Sequence, residues 1–274
     1  MNRRLSSLSL AAFALMVVAG CGGSSNGGPQ DALSLGTAGW VVLDLDTREI
    51  RYLADVPEAN VDPLYRTQKM IFRRVRTGGG DIFVAQYEVT QRQWDLLGAG
   101  PLQPWLDVDP AVCRALPADE GRPAYNLSHL AVMDALTAFT LPGGARLDLP
   151  TASEWTAACG VTSGWWWGQT SSDSQIKANA VVRESVISDA RPPDEHGVDN
   201  GGPLAVGSKA ANRWGLYDVL GNVWEWTREG TEVRGGSWYD GIQTCRAEMK
   251  AGAANGIADW IDYALVGARP VLRP

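Results

Sequence analysis

The sequence predicts an α+β domain that is poor in regular structure. Three observations lead there. Apolar–polar alternation marks short strands, Thr-headed capping boxes mark short helices, and the stretches between them are long and irregular. Composition agrees, with 31 Gly, 15 Pro and 12 Trp against only 4 Phe. Indoles are large enough to fill a core between irregular segments.

The chain opens MNRRLSSLSLAAFALMVVAGCGGSSNGG. Arg3 and Arg4 form a positive start, and residues 8–18 are an apolar run too short to span a bilayer, so residues 1–20 read as a signal peptide. Small residues before Cys21 and a polar stretch after it resemble a bacterial lipoprotein signal, with Cys21 the lipidated residue. Such an anchor implies the cell envelope, held to the membrane by lipid without a spanning helix. No acidic residue follows Cys21 directly, which favours the outer membrane. Residues 21–36, rich in Gly, Ser, Asn and Gln, read as a flexible tether.

In residues 37–64, GWVVLDLDTREIRYL alternates around Asp46-Thr47 and predicts a lead-in β-hairpin. The main domain is expected over 65–274. QKMIFRRVRTGGGDIFVAQYEVT gives two more strands, split at Gly78-Gly79-Gly80. Thr90 with Gln93 is a capping-box pattern and starts a short helix. Residues 98–125 read as loop. Ser128 is the expected N-cap of a helix over 128–141, with Leu130, Met133, Leu136 and Thr137 at helical spacing. Pro142-Gly143-Gly144 ends it. Thr151 and Glu154 predict a second capped helix over 150–159. From 160 to 213 the sequence is Gly, Ser, Asp and Pro rich with little periodicity, an unusual length for a loop in a compact domain.

The net charge is −7, and loss of Arg3 and Arg4 with the signal makes the domain more acidic still. That excludes nucleic acid and an anionic lipid surface as natural partners. In an oxidising compartment Cys113, Cys159 and Cys245 become disulfide candidates, and three is an odd number. The two histidines, His129 and His196, are too few for a His-rich iron site. No Ser-His-Asp or paired-carboxylate motif is visible. Asp44 and Asp46 flank the predicted hairpin turn.

Five segments occur in a fixed order: QYEVTQRQW (86–94), RLDLPTASEWTAAC (146–159), WGLYDVLGNVWEW (214–226), VRGGSW (233–238) and VGAR (266–269). Together they resemble the formylglycine-generating enzyme family, also called the sulfatase-modifying-factor domain. The resemblance covers about residues 65 to 272. It implies a C-type-lectin-like α+β fold with a small twisted antiparallel sheet and a few helices. It also implies structural calcium, with Asp218 and Glu225 as carboxylate ligands and Gly221 and Val223 as carbonyl ligands. That is a hard-oxygen set suited to the ion. A second calcium site would use Asn179, the Ala180 carbonyl and Asp199. The TGGGDIF segment is shorter than the family's Gly-rich stretch.

Enzymes of the family hold copper(I) with two cysteines after RGGSW and oxidise a client cysteine to formylglycine with dioxygen. Counted from Ser237, those positions fall on Asp240 and Cys245, so one soft thiolate is replaced by a hard carboxylate and copper is not expected. Some relatives bridge a cysteine at the end of the second capped helix to the strand after RGGSW, which implies a Cys159–Cys245 disulfide. Cys113–Cys159 is its rival. Relatives without the cysteine pair use the C-terminal surface to hold ligands, in some cases diversified by a retroelement. Here Trp238, Tyr239, Asp240, Trp260, Asp262 and Tyr263 would form an aromatic and acidic patch for a glycan or protein ligand, unless Trp238 and Trp260 are core. Two functions are therefore expected. The first is a non-catalytic, lectin-like binding lipoprotein. The second is a formylglycine-generating oxidase that works through Cys245.

Overall fold

The structure is a computed structural model, and it describes residues 34–56, 59–99, 120–168, 172–186, 202–252 and 265–274. Cys21, Cys113, His196, Asp199, Trp260, Asp262 and Tyr263 lie outside them.

The predicted hairpin is formed by β1 (Trp40–Asp44) and β2 (Ile50–Leu53), paired antiparallel. Asp44 closes its turn, with Oδ1 accepting from the backbone N–H of Asp46 and Thr47. The hairpin is not a separate lead-in. β1 pairs along its whole length with β3 (Lys69–Thr77), and β3 turns at Gly78-Gly79 into β4 (Gly80–Ala85). Between β2 and β3 lies a four-residue helix, α1 (Leu64–Thr67).

The predicted capping boxes are present. Thr90 heads α2 (Gln91–Leu96) and exchanges side-chain and backbone bonds with Gln93. Thr151 heads α4 (Ala152–Cys159) and does the same with Glu154. Each box satisfies two N–H groups that a helix start leaves orphaned. Ser128 caps α3 (His129–Ala138). The buried face of α3 is Val132, Ala135 and Leu136, while Leu130 is 57% exposed. The expected stripe is therefore rotated, because α3 lies against β5 (Arg146–Asp148), whose position fixes the inward side. The region predicted as irregular from 160 holds two short helices, α5 (Asp173–Asn179) and α6 (Arg183–Val186). α5 has a third capping box, Ser172 with Gln175, hidden by the surrounding polar sequence.

The C-terminal strand β10 (Val271–Arg273) inserts between β4 and β5, giving the antiparallel order β2-β1-β3-β4-β10-β5. A smaller sheet runs β8 (Lys250–Gly252), β7 (Glu232–Arg234), β6 (Trp224–Trp226), β9 (Val266–Gly267), with β6 and β9 parallel. Trp94, Trp226 and Trp238 share the main core with Phe72 and Leu136. This is the expected α+β architecture. Among the described residues no helix is long and apolar enough to cross a membrane.

Candidate functional site

The five motif segments converge on one buried polar hub. Glu225, in β6, accepts from Arg269 at Oε1 (Nε at 2.9 Å) and from the Trp155 indole N–H at Oε2 (2.7 Å). Arg269 also donates to the carbonyls of Ala85, Gln86 and Tyr217. Glu88 accepts from the Asn222 amide at 2.6 Å and from the Val223 N–H at 3.1 Å. Asn222 sits at φ +63° and is tied on every polar atom. Its side-chain oxygen takes the Leu204 N–H, its N–H meets the Val181 carbonyl, and its carbonyl takes the Trp238 N–H. Apart from the half-buried Leu204 and Tyr217, these residues are buried, where an unpartnered polar atom costs about 1–3 kcal/mol. The motifs thus close a hydrogen-bonded scaffold.

Asp218 lies at the hub's edge, buried, with φ +56°. Its Oδ2 accepts from the Gly207 N–H at 2.6 Å, while Oδ1 has no partner among the described residues. Burial pushes its carboxyl up to about 6, against the Gly207 hydrogen bond. Burial, with Asp218 adding to it, raises Glu88 well above the carboxylate range. Burial also raises Glu225 against the pull of Arg269. Burial disfavours the charge of Arg269, but Glu225 more than offsets this and holds its pKa high.

This arrangement tests the expected calcium ligands. Asp218 fits, being buried with an oxygen to spare. Glu225 does not, because Arg269 and Trp155 each hold one of its oxygens. The set Asp218, Gly221, Val223 and Glu225 therefore does not fit calcium as predicted. The cation at Glu225 is a guanidinium. Among the described residues no group of three or more His, Cys, Asp or Glu is placed to hold a metal. In the second expected set, the Asn179 amide nitrogen donates to the Gln175 carbonyl and Ala180 is fully buried.

The segment after RGGSW forms a tight loop. Asp240 Oδ2 accepts three hydrogen bonds, from Ser237 N–H (3.0 Å), Ser237 Oγ (2.6 Å) and the Trp224 indole (2.8 Å). Asp240 thus works as a turn cap. Helix α6 grips the same loop. Arg183 donates to the carbonyls of Tyr239 and Asp240, and Glu184 accepts from the Ile242 N–H with both oxygens at 3.1 Å. Trp238 is 0% exposed and belongs to the core, which corrects its expected place in a ligand patch. Tyr239 stays half-buried at the surface with Arg183 stacked over its ring, 5.2 Å from the centroid.

Cys159 and Cys245 are both buried free thiols, so the disulfide expected between them is not formed. The Cys245 thiol is turned to the Ser237 carbonyl (3.8 Å) and packs under Gly236. Burial pushes Cys245 far above the usual thiol range, and the charges of Asp240 and Glu184 add to this. Burial pushes Cys159 up to about 12. A thiol in that state is a poor nucleophile and a poor metal ligand.

Sequence reasoning missed the roles of Glu88, Asn222, Arg269 and Glu184. The first three lie inside motifs already singled out, and burial was the missing information.

A lectin-like α+β scaffold closed by these motifs defines a class of domain, and comparison with known proteins gives the family. The profile described as "Sulfatase-modifying factor enzyme 1-like domain" matches residues 73–261, and the chain belongs to that family. It is 31% identical over 142 residues to a formylglycine-generating enzyme of Mycobacterium tuberculosis, covering 47% of this chain and 45% of that protein. It is 30% identical over 135 residues to the one from Thermomonospora curvata, covering 46% and 42%. The chain thus spans less than half the length of these curated relatives. Among solved structures, Treponema denticola variable protein 1 matches with TM-score 0.54 at 16% identity, covering 75% of this chain and 96% of that one. PvdO from Pseudomonas aeruginosa matches with TM-score 0.51 at 17% identity, covering 86% and 92%. These two share the fold.

Proposed function

We propose that this protein is a non-catalytic, ligand-binding member of the sulfatase-modifying-factor family, lipid-anchored in the cell envelope through Cys21. The observation that carries the reading is Asp240. It stands where the family's enzymes place the first copper thiolate, and its carboxylate is engaged as a turn cap. The remaining Cys245 is buried and held as a thiol. Copper(I) needs two accessible soft donors, and these positions supply neither. The hub supports the same reading, because the residues behind the family resemblance act as scaffold. Membership of a fold family does not carry activity with it.

The binding surface is the loop of Tyr239 and Asp240 held by α6; Trp260, Asp262 and Tyr263, which lie outside the described residues, are its further expected members. Its ligand is a glycan or a protein. The test is copper(I) titration of the reduced protein, followed by incubation with a cysteine-containing peptide and dioxygen. No stoichiometric copper and no formylglycine are expected. Formation of formylglycine that disappears in Cys245→Ala would overturn the reading and restore the oxidase.

A further inference from the structure

A second surface, remote in sequence from the C-terminal loop, holds two guanidinium groups in built seats. Arg73, on β3, is the cross-strand partner of Trp40, and its Cζ lies 3.5 Å from the centre of the Trp40 ring. Its Nε donates to the Trp214 carbonyl at 2.9 Å. On its other side is Gly215, where a Cβ would come within 3.0 Å of the Arg73 Cζ. Arg66, in α1, is seated the same way. Its Cζ lies 5.3 Å over the Tyr87 ring, and Nη2 donates to the Asn60 carbonyl at 2.7 Å. A Cβ at Gly207 would stand 2.6 Å from Tyr87 and 3.2 Å from Arg66 Nη2.

Tyr217 bridges the two seats. Its ring stacks on Tyr87 with centroids 5.2 Å apart, and its hydroxyl, raised chiefly by burial, feels the positive charge of both arginines. Among the described residues that hydroxyl makes no hydrogen bond. Among the described residues neither guanidinium is within ion-pair distance of a carboxylate. Asp55, exposed, reaches Arg73 through space without contacting it, and buried Asp218 lies near Arg66 in the same way. The Nε of Arg66 is buried with no acceptor among the described residues.

Two half-buried guanidiniums fixed between rings and glycines, without an ion pair among the described residues of a chain of net charge −7, form a preorganised positive site. A guanidinium presents parallel N–H donors that match a carboxylate or sulfate bidentately, and a half-exposed tyrosine ring suits the apolar face of a sugar. We propose that Arg66, Tyr217 and Arg73 form a binding site for an acidic saccharide, one bearing a carboxylate or sulfate ester, separate from the C-terminal loop.

The test is calorimetric titration of the purified protein with four probes at low and physiological salt. The probes are a glucuronate-containing disaccharide, a sulfated disaccharide, their neutral counterpart and hexaglutamate. Saturable, salt-weakened binding of an acidic disaccharide is expected, and the acid that binds tells carboxylate from sulfate. Arg66→Gln or Arg73→Gln should weaken it at least about tenfold, as loss of a charge-assisted pair would. Arg76→Gln, an exposed change on the same strand, should leave it unchanged. If the glutamine variants do not fold, Arg73→Lys, which keeps charge without the fork, and Tyr217→Phe carry the test with several-fold losses. The proposal fails if neither acidic disaccharide saturates below about 10 mM. It fails equally if the variants bind as well as the parent, or if hexaglutamate binds as tightly. None of these outcomes bears on copper or on Cys245, so the site stands or falls apart from the proposed function.

Discussion

Glu225 and Arg269 form an ion pair with Nη2 2.7 Å from Oε1 and both side chains almost wholly buried. They come from different family motifs, Glu225 on β6 and Arg269 two residues past the end of its parallel neighbour β9, and Arg269 also binds three backbone carbonyls. One guanidinium therefore joins β6, the end of β4 and the loop at Tyr217.

Removing either partner leaves a buried charge without compensation. Arg269→Met should destabilise by about 3–5 kcal/mol in urea unfolding. Glu225→Gln, which keeps an acceptor for Trp155, should cost less. A double-mutant cycle should show strong coupling, and additive losses would mean that the pair contributes little.

The raised carboxyls give a signed pH dependence. Asp218 moves from 3.8 to about 6 on folding, so across that window the native state binds more protons than the unfolded chain. Stability therefore falls as pH rises through it, by on the order of a few kcal/mol, and then levels. Glu88 shifts in the same direction. Urea midpoints measured with a chelator between pH 4.5 and 6.5 should show the fall, and Asp218→Asn should flatten it. A parallel rise in both proteins would contradict the assignment.

Because Glu225 is already engaged, calcium at millimolar concentration should shift Tm by no more than about 1 °C. A shift of several degrees that Asp218→Asn abolishes would return a cation to the free Asp218 oxygen.

Asp240→Ala removes one carboxylate oxygen that serves three donors. A cost of about 1–3 kcal/mol is expected. The more telling readout is thiol labelling. Cys245 should resist a small disulfide reagent in the native parent and react in the variant, as its loop loosens. Fast labelling of the parent would show that Cys245 is not buried.

Gly236 has φ +80°, and a side chain there would overlap the Cys245 sulfur. Gly236→Ala should therefore cost at least about 2 kcal/mol. Adding Cys245→Ala should recover only part, since the Cα and Cβ of residue 245 would also lie 3.0 Å from the new methyl. Full recovery would assign the cost to the sulfur alone.

The features legible in the sequence are those made by neighbours along the chain. Thr90 with Gln93 and Thr151 with Glu154 form their capping boxes across three residues, and Asp44 closes its hairpin turn across two and three. Such bonds depend on local geometry, so spacing alone reports them. Motif order likewise gave the family and the substitution at Asp240. Tertiary structure alone decided what those residues touch. Glu88 meets Asn222 across 134 residues and Arg269 meets Glu225 across 44, and β10 enters between β4 and β5, both far from it in the chain. Tertiary packing likewise buried Trp238, set α3 so that Leu130 faces water, gave Glu225 a guanidinium partner, and left Cys159 and Cys245 as separate thiols. Long-range burial chooses a side chain's partner, and no local pattern encodes it.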